Sequence, residues 1–143
     1  NELDKSFFLF DTYAGIPVAQ MSDNERLDRL ISNTKYPDCY ELAKVNFEPF
    51  PRARLVRGIV PESLSTVQID RVAYLSIDMN IAYPERKAIE YFWPKLSPGA
   101  MVVLDDYGWT RYEDQKEAID EFARSVGVEA LTLPTGQGLL VKP

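Results

Sequence analysis

Short apolar runs alternate with amphipathic stretches along this chain. Lys5-Ser-Phe-Phe-Leu-Phe10 stops at Asp11, which reads as a buried strand running into a loop. Residues 22–33 carry mixed charge with Leu27, Leu30 and Ile31 at helical spacing, and Ser22 or Asp23 is placed to cap them. A second helix is expected over about 38–45, with Tyr40 and Leu42 facing inward. Residues 54–57 predict a brief strand ending at Gly58, and residues 61–64 a loop or short helical turn.

The second half is more regular. Residues 71–77 form a strong strand pattern ending at Asp78. Pro84 suits the first turn of the helix that follows, in which Ala88, Ile89, Phe92 and Trp93 share one side. Ser97-Pro-Gly99 predicts a turn. Residues 100–104 are an all-apolar strand ending at the pair Asp105-Asp106, and residues 113–126 place Ala118, Ile119, Phe122 and Ala123 on one helical face. Two late strands, near 130–133 and 139–141, flank a turn at 134–138. This alternation predicts one α/β domain over residues 1–143, with a mostly parallel sheet and an antiparallel hairpin at its C-terminal edge.

Three strand ends carry acids, and that placement is the most informative feature. In open α/β sheets ligands bind at the carboxyl ends of the strands, so Asp11, Asp78, Asp105 and Asp106 are expected on one edge. Neighbouring strands lie about 4.8 Å apart, so Asp78, Asp105 and Asp106 could converge on a cation. Asp is also good turn chemistry after any strand. Asp11 suits the vicinal hydroxyls of a ribose, and it equally suits a capped turn leading to Gly15 and Pro17.

Composition narrows the chemistry. With 16 basic and 22 acidic residues the formal charge is −6, which disfavours nucleic acid and anionic membrane as partners. The chain has no His, which removes imidazole bases, Ser-His-Asp triads and His-based zinc sites. A metal here must be a hard ion on oxygen ligands, such as magnesium. The lone Cys39 forms no internal disulfide, so a cytoplasmic location is expected. Gly136-Gln-Gly138 reads as a hairpin turn rather than a phosphate cradle. Arg52, Arg54 and Arg57 read as a solvated strip with a possible acidic neighbour.

Four segments together resemble the macrocin O-methyltransferase family. They are Phe10-Asp-Thr-Tyr-Ala-Gly-Ile-Pro17, Leu75-Ser-Ile-Asp-Met-Asn80, Leu96-Ser-Pro-Gly99 and Val103-Leu-Asp-Asp-Tyr-Gly108. The resemblance runs from about residue 5 to the end. It implies a Rossmann-like three-layer α/β sandwich, and methyl transfer from S-adenosylmethionine to a hydroxyl of a sugar or natural product, assisted by magnesium. Carried onto this chain, the metal ligands would be Asp78, Asp105 and Asp106, and Asp11 with Thr12 would bind the cofactor. The catalytic positions would be Asp78 and Asn80. Asn80 stands where the family has a second Asp, a candidate general base, and an amide takes no proton at neutral pH. Tyr83 and Tyr107 lie nearby in sequence and are poor bases.

The family fold opens with a strand and a glycine-rich turn, and nothing resembling Gly-x-Gly precedes Lys5. The chain also begins at Asn1 rather than Met. The expectation is therefore an N-terminally incomplete domain that lacks the first, central strand, with an open sheet edge that favours a homo-oligomer. Two other readings remain. One is a methyltransferase-like binding or assembly domain without catalysis. The other is a phosphoacceptor receiver, disfavoured because its acid pair would lie early and no Lys ends a following strand before Lys142.

Overall fold

The computed structural model describes residues 5–143, with Ile31 and Ser32 described in backbone only. The main elements are β1 (Phe7–Asp11), α1 (Asp23–Asn33), α2 (Tyr40–Phe47), β2 (Ala53–Arg57), β3 (Val72–Ile77), α3 (Ala82–Phe92), β4 (Leu96–Leu104), α4 (Glu113–Ser125), β5 (Leu131–Thr132) and β6 (Gly138–Val141). Short 3-10 turns occupy Val18–Gln20, Glu62–Thr66 and Trp93–Lys95.

The strands form two sheets. β1 pairs with β2 in parallel, and the second sheet runs β3-β4-β6-β5. β3 and β4 are parallel, whereas β6 is antiparallel to both β4 and β5. The C-terminal edge hairpin is as expected. Among the described residues β1 bonds only β2, and β3 bonds only β4, so each presents an unpaired edge.

The core is built on the second sheet. Ile89, Val102 and Leu140 have no exposed surface, and Ile77, Leu104 and Ile119 have almost none. α3 and α4 cover this side, with Trp93 and Phe122 meeting edge to face at 5.3 Å. On the opposite side Tyr74, Met101 and Val141 are neighbours in the strand register, and each is about half exposed. Phe8 and Phe10 of β1 pack against the core, with the Phe10 ring 5.9 Å from that of Phe92.

Several local expectations need correction. Leu42, expected inward, is 62% exposed; Leu27 and Leu30, at helical spacing on α1, are exposed as well. The Ile31 side chain lies outside the described residues. α1 instead buries Glu25 and Arg29, because its inner face meets backbone polar groups rather than an apolar layer. Ser97-Pro-Gly99 lies within β4, as a bulge: Val72 pairs with Leu96, and Tyr74 next pairs with Met101. Gly99 takes a left-handed φ of 78° there, and its N–H donates to the Lys142 carbonyl. Cys39 is exposed and precedes α2.

Candidate active site

Each acid is presented by a short, well-braced turn. After β1, Asp11 Oδ1 accepts the Tyr13 N–H at 2.7 Å, and Thr12 Oγ1 donates to the Gly15 carbonyl while accepting the Ala14 N–H. Such side-chain to backbone bonds mimic a turn. Tyr13 is buried at φ 54°, and its hydroxyl donates to the Leu9 carbonyl. Burial first, and the Asp11 charge second, push its phenol up to about 12, so it serves as a brace. Asp11 itself remains exposed.

The turn after β3 is held from three sides. Asn80 sits at φ 63°, a left-handed conformation that Asn adopts more readily than most residues. Its amide donates to Asp78 Oδ1 at 3.1 Å, and its Oδ1 accepts from the Tyr112 hydroxyl at 3.4 Å. The Arg29 Nε donates to the Asn80 carbonyl at 3.0 Å. The same guanidinium donates to the Arg111 carbonyl at 2.7 Å and stacks 3.7 Å above the Tyr112 ring. From α3, the buried Glu85 carboxylate accepts the Met79 N–H and the Gln115 amide, both at 3.1 Å.

A capping box starts α1. Ser22 Oγ accepts the Glu25 N–H, and Glu25 Oε2 accepts the Ser22 N–H. Glu25 Oε1 also accepts the Ala82 N–H at 2.6 Å, so one carboxylate caps the starts of both α1 and α3.

After β4, Asp105 Oδ1 accepts the Gln137 amide at 2.8 Å. Asp106 Oδ2 is buried and has no hydrogen-bond partner among the described residues. Burial raises the Asp106 carboxyl to about 6, helped by the charges of Asp78 and Asp105 and opposed by Arg29. Asp78 is raised for the same reasons, burial first, then Asp105 and Asp11, with the Asn80 amide opposing. These acids therefore share one electrostatic field.

All six residues expected from the sequence line one cleft of about 590 Å³: Asp11, Thr12, Asp78, Asn80, Asp105 and Asp106. A second hollow of about 400 Å³ shares Asp105 and Asp106 and is otherwise lined by Trp109, Tyr112, Thr135 and Gln137. Among the described residues no three acidic or thiol side chains converge closely enough to cage a metal. Tyr83 and Tyr107 line neither hollow; the Tyr107 hydroxyl donates to Asp120.

Sequence reasoning missed Arg29, Tyr112 and the Trp109 side of the site. The available signal for Arg29 was its spacing. It lies four residues after the Glu25 of a capping box, so both charges share one helical face. Arg57 has the acidic neighbour that was expected, Asp38.

Comparison with known proteins bears on the fold and the family. The solved O-methyltransferase NovP superposes with a TM-score of 0.85 over 99% of this chain and 61% of its own, at 23% identity. CalS11, a calicheamicin methyltransferase, superposes at 0.66 over 95% of this chain and 60% of its own, at 19% identity. At such identities the likeness establishes a shared fold. A Streptomyces olivaceus protein, 8-demethyl-8-(2,3-dimethoxy-alpha-L-rhamnosyl)-tetracenomycin-C 4'-O-methyltransferase, is 23% identical over 126 residues, 82% of this chain and 47% of its own. The chain thus spans about half the length of that curated relative. The profile of the macrocin O-methyltransferase (TylF) family matches residues 1–133, and the chain belongs to that family.

Proposed function

We propose that this chain carries the cofactor-binding and catalytic acids of an S-adenosylmethionine-dependent O-methyltransferase acting on a hydroxyl of a sugar or related natural product. The observation that carries this reading is the meeting of Asp11, Thr12, Asp78, Asn80, Asp105 and Asp106 in one cleft. One Asp11 oxygen holds the turn, leaving the other for the ribose hydroxyls of the cofactor.

Asp78, Asp105 and Asp106 would hold magnesium. Their donors are hard oxygens, Asp106 Oδ2 is buried without a partner, and their mutual repulsion is what a cation relieves. Magnesium needs only one or two carboxylates beside its waters, so a pre-formed cage is not required. Bound there, it would lower the pKa of a hydroxyl and orient it. Asn80 is a positioning residue, holding Asp78 and receiving Tyr112. Burial pushes the Tyr112 phenol, in the adjoining hollow, further up from 10, so the carboxylates are better proton acceptors than it is.

The unpaired edges of β1 and β3 suit one further strand, from the same protein or from a second copy. A cytoplasmic location is part of the same reading, resting on the free thiol of Cys39. Among the described residues no helix is long and apolar enough to cross a membrane.

Titration calorimetry of the full protein with S-adenosylmethionine, with and without magnesium, tests the proposal. Micromolar binding that Asp11→Ala weakens at least tenfold is expected, along with magnesium-dependent methyl transfer that Asp105→Ala abolishes. Retained activity in Asp105→Ala would sink the metal assignment. Asn80 favours a second reading, a binding or assembly module without catalysis. Cofactor binding with no transfer to any hydroxyl acceptor would select it.

A further inference from the structure

We propose that Trp109 is the acceptor platform of this site: its indole stacks on the apolar face of a six-membered sugar ring and sets that ring beside Asp105 and Asp106. This rests on the methyltransferase reading for its chemistry and on separate observations for its geometry. The second hollow lies on the far side of the acid pair from Asp11 and Thr12, and Trp109 forms one of its walls. Trp109 is 57% exposed, and it walls a concave hollow rather than standing alone on an open surface.

Its position is built rather than incidental. The Trp109 N–H donates to the Asp106 carbonyl at 3.1 Å, so the residue is tied to the acid pair. Gly108 N–H donates to the Gly136 carbonyl at 2.7 Å, which brings the turn at 134–138 under the ring. A Cβ on Gly136 would lie 2.5, 2.8 and 3.0 Å from Nε1, Cδ1 and Cε2 of Trp109. Three adjacent atoms of the five-membered ring thus lie against that glycine. Gly136 is also at φ 87°, a conformation that side chains disfavour. The glycine backs the five-membered ring of the indole, and the residue as a whole stays more than half exposed.

The other walls suit a sugar. Thr135 and Gln137 supply a hydroxyl and an amide, and Gln137 already donates to Asp105. A pyranose has an apolar face of C–H groups and a rim of hydroxyls, which matches an aromatic floor with polar edges.

The test uses the full protein labelled with 5-fluorotryptophan, the Trp109 resonance being assigned by its loss in Trp109→Phe. Methyl α-L-rhamnoside is the probe. Its addition is expected to shift the Trp109 resonance saturably. Gly136→Ala is expected to displace that resonance without probe and to weaken probe binding at least tenfold, while Trp109→Phe binds within about threefold of the native protein. S-adenosylmethionine affinity, measured on the same samples, should stay within twofold throughout. A Trp109 resonance indifferent to the probe, or native probe affinity in Gly136→Ala, overturns the platform. If the cofactor fails to bind yet Trp109 responds to the probe, the platform stands and the methyltransferase reading falls.

Discussion

The chain divides near residue 60 into two regions held together by different physics. From Val60 onward seventeen buried apolar residues form one continuous cluster. Before it, Tyr13, Met21 and Val56 are buried outside that cluster, and α2 buries nothing. The first region touches that cluster with Phe8 and Phe10 of β1 and is otherwise fastened by polar joints. Gln20 donates to the Val60 carbonyl, Ser22 to Asp114, and Arg29 to Asn80 and Arg111, while Glu25 accepts from Ala82. The Asp28–Arg111 pair adds another. Two of the three acid-bearing strands come from the apolar region and one from the fastened region. The cleft is therefore a joint, and the joint holds Asp11 opposite the other acids.

This difference predicts two kinds of failure. Ile89→Ala removes a side chain with no exposed surface and should cost roughly 4 kcal/mol of global stability in a urea melt. Arg29→Ala should cost roughly 2 kcal/mol, because two part-buried carbonyls lose their donor and Asp106 loses its nearby cation. The distribution of the loss separates the two. Hydrogen exchange should rise throughout in Ile89→Ala, but in Arg29→Ala mainly in α1 and residues 78–81. Uniform exchange in Arg29→Ala would dissolve the distinction between the regions.

The same division explains what could be read in the sequence. Ile77, Ile89, Ile119, Phe122 and Leu140 follow strand or helix periodicity because burial behind an apolar layer is what periodicity encodes. Asp11, Asp78, Asp105 and Asp106 were legible because a strand end fixes where its next residue goes. Leu42 misled because α2 buries none of its residues, and the helical spacing of Leu27 and Leu30 gave no sign that α1 buries Glu25 and Arg29 instead. Ser97-Pro-Gly99 has the composition of a turn, yet cross-strand bonding keeps it in β4 as a bulge. Trp109 and Gln137 reach one hollow through the Gly108–Gly136 and Asp105–Gln137 contacts, and no spacing along the chain announces that.

Glu85 sharpens the comparison through pH. It is the buried charge on the apolar side of the joint, and burial pushes its carboxyl from 4.5 up to about 7, against the pull of the Met79 N–H and the Gln115 amide. Between pH 4.5 and 7 the native state binds more protons at this group than the unfolded state does. Its contribution is thus fully present below 4.5 and is lost as pH rises through 7. Glu85→Gln keeps an acceptor for both donors and should be more stable than the native protein at pH 8, on the order of 2 kcal/mol, with no gain at pH 4. Asp106 and Asp78 are shifted in the same direction, so some pH slope should survive in the variant. Equal gains at both pH values would mean that the effect is packing rather than ionisation.

The smallest expected effect is the most direct probe of the first region. Leu27 and Leu42 are exposed on α1 and α2, so replacing either with Ser removes little buried surface. Each change should alter stability by less than about 0.5 kcal/mol, mostly through helix propensity. The corresponding change at Ile119, on an equally amphipathic helix, should cost several times more. α1 and α4 share a mix of charged and apolar residues and differ in what lies beneath them. A loss above about 1 kcal/mol at Leu27 in the full protein would show that its outward face is packed there. α1 would then be held by apolar burial as well as by its polar joints, and the contrast between the two regions would shrink to α2.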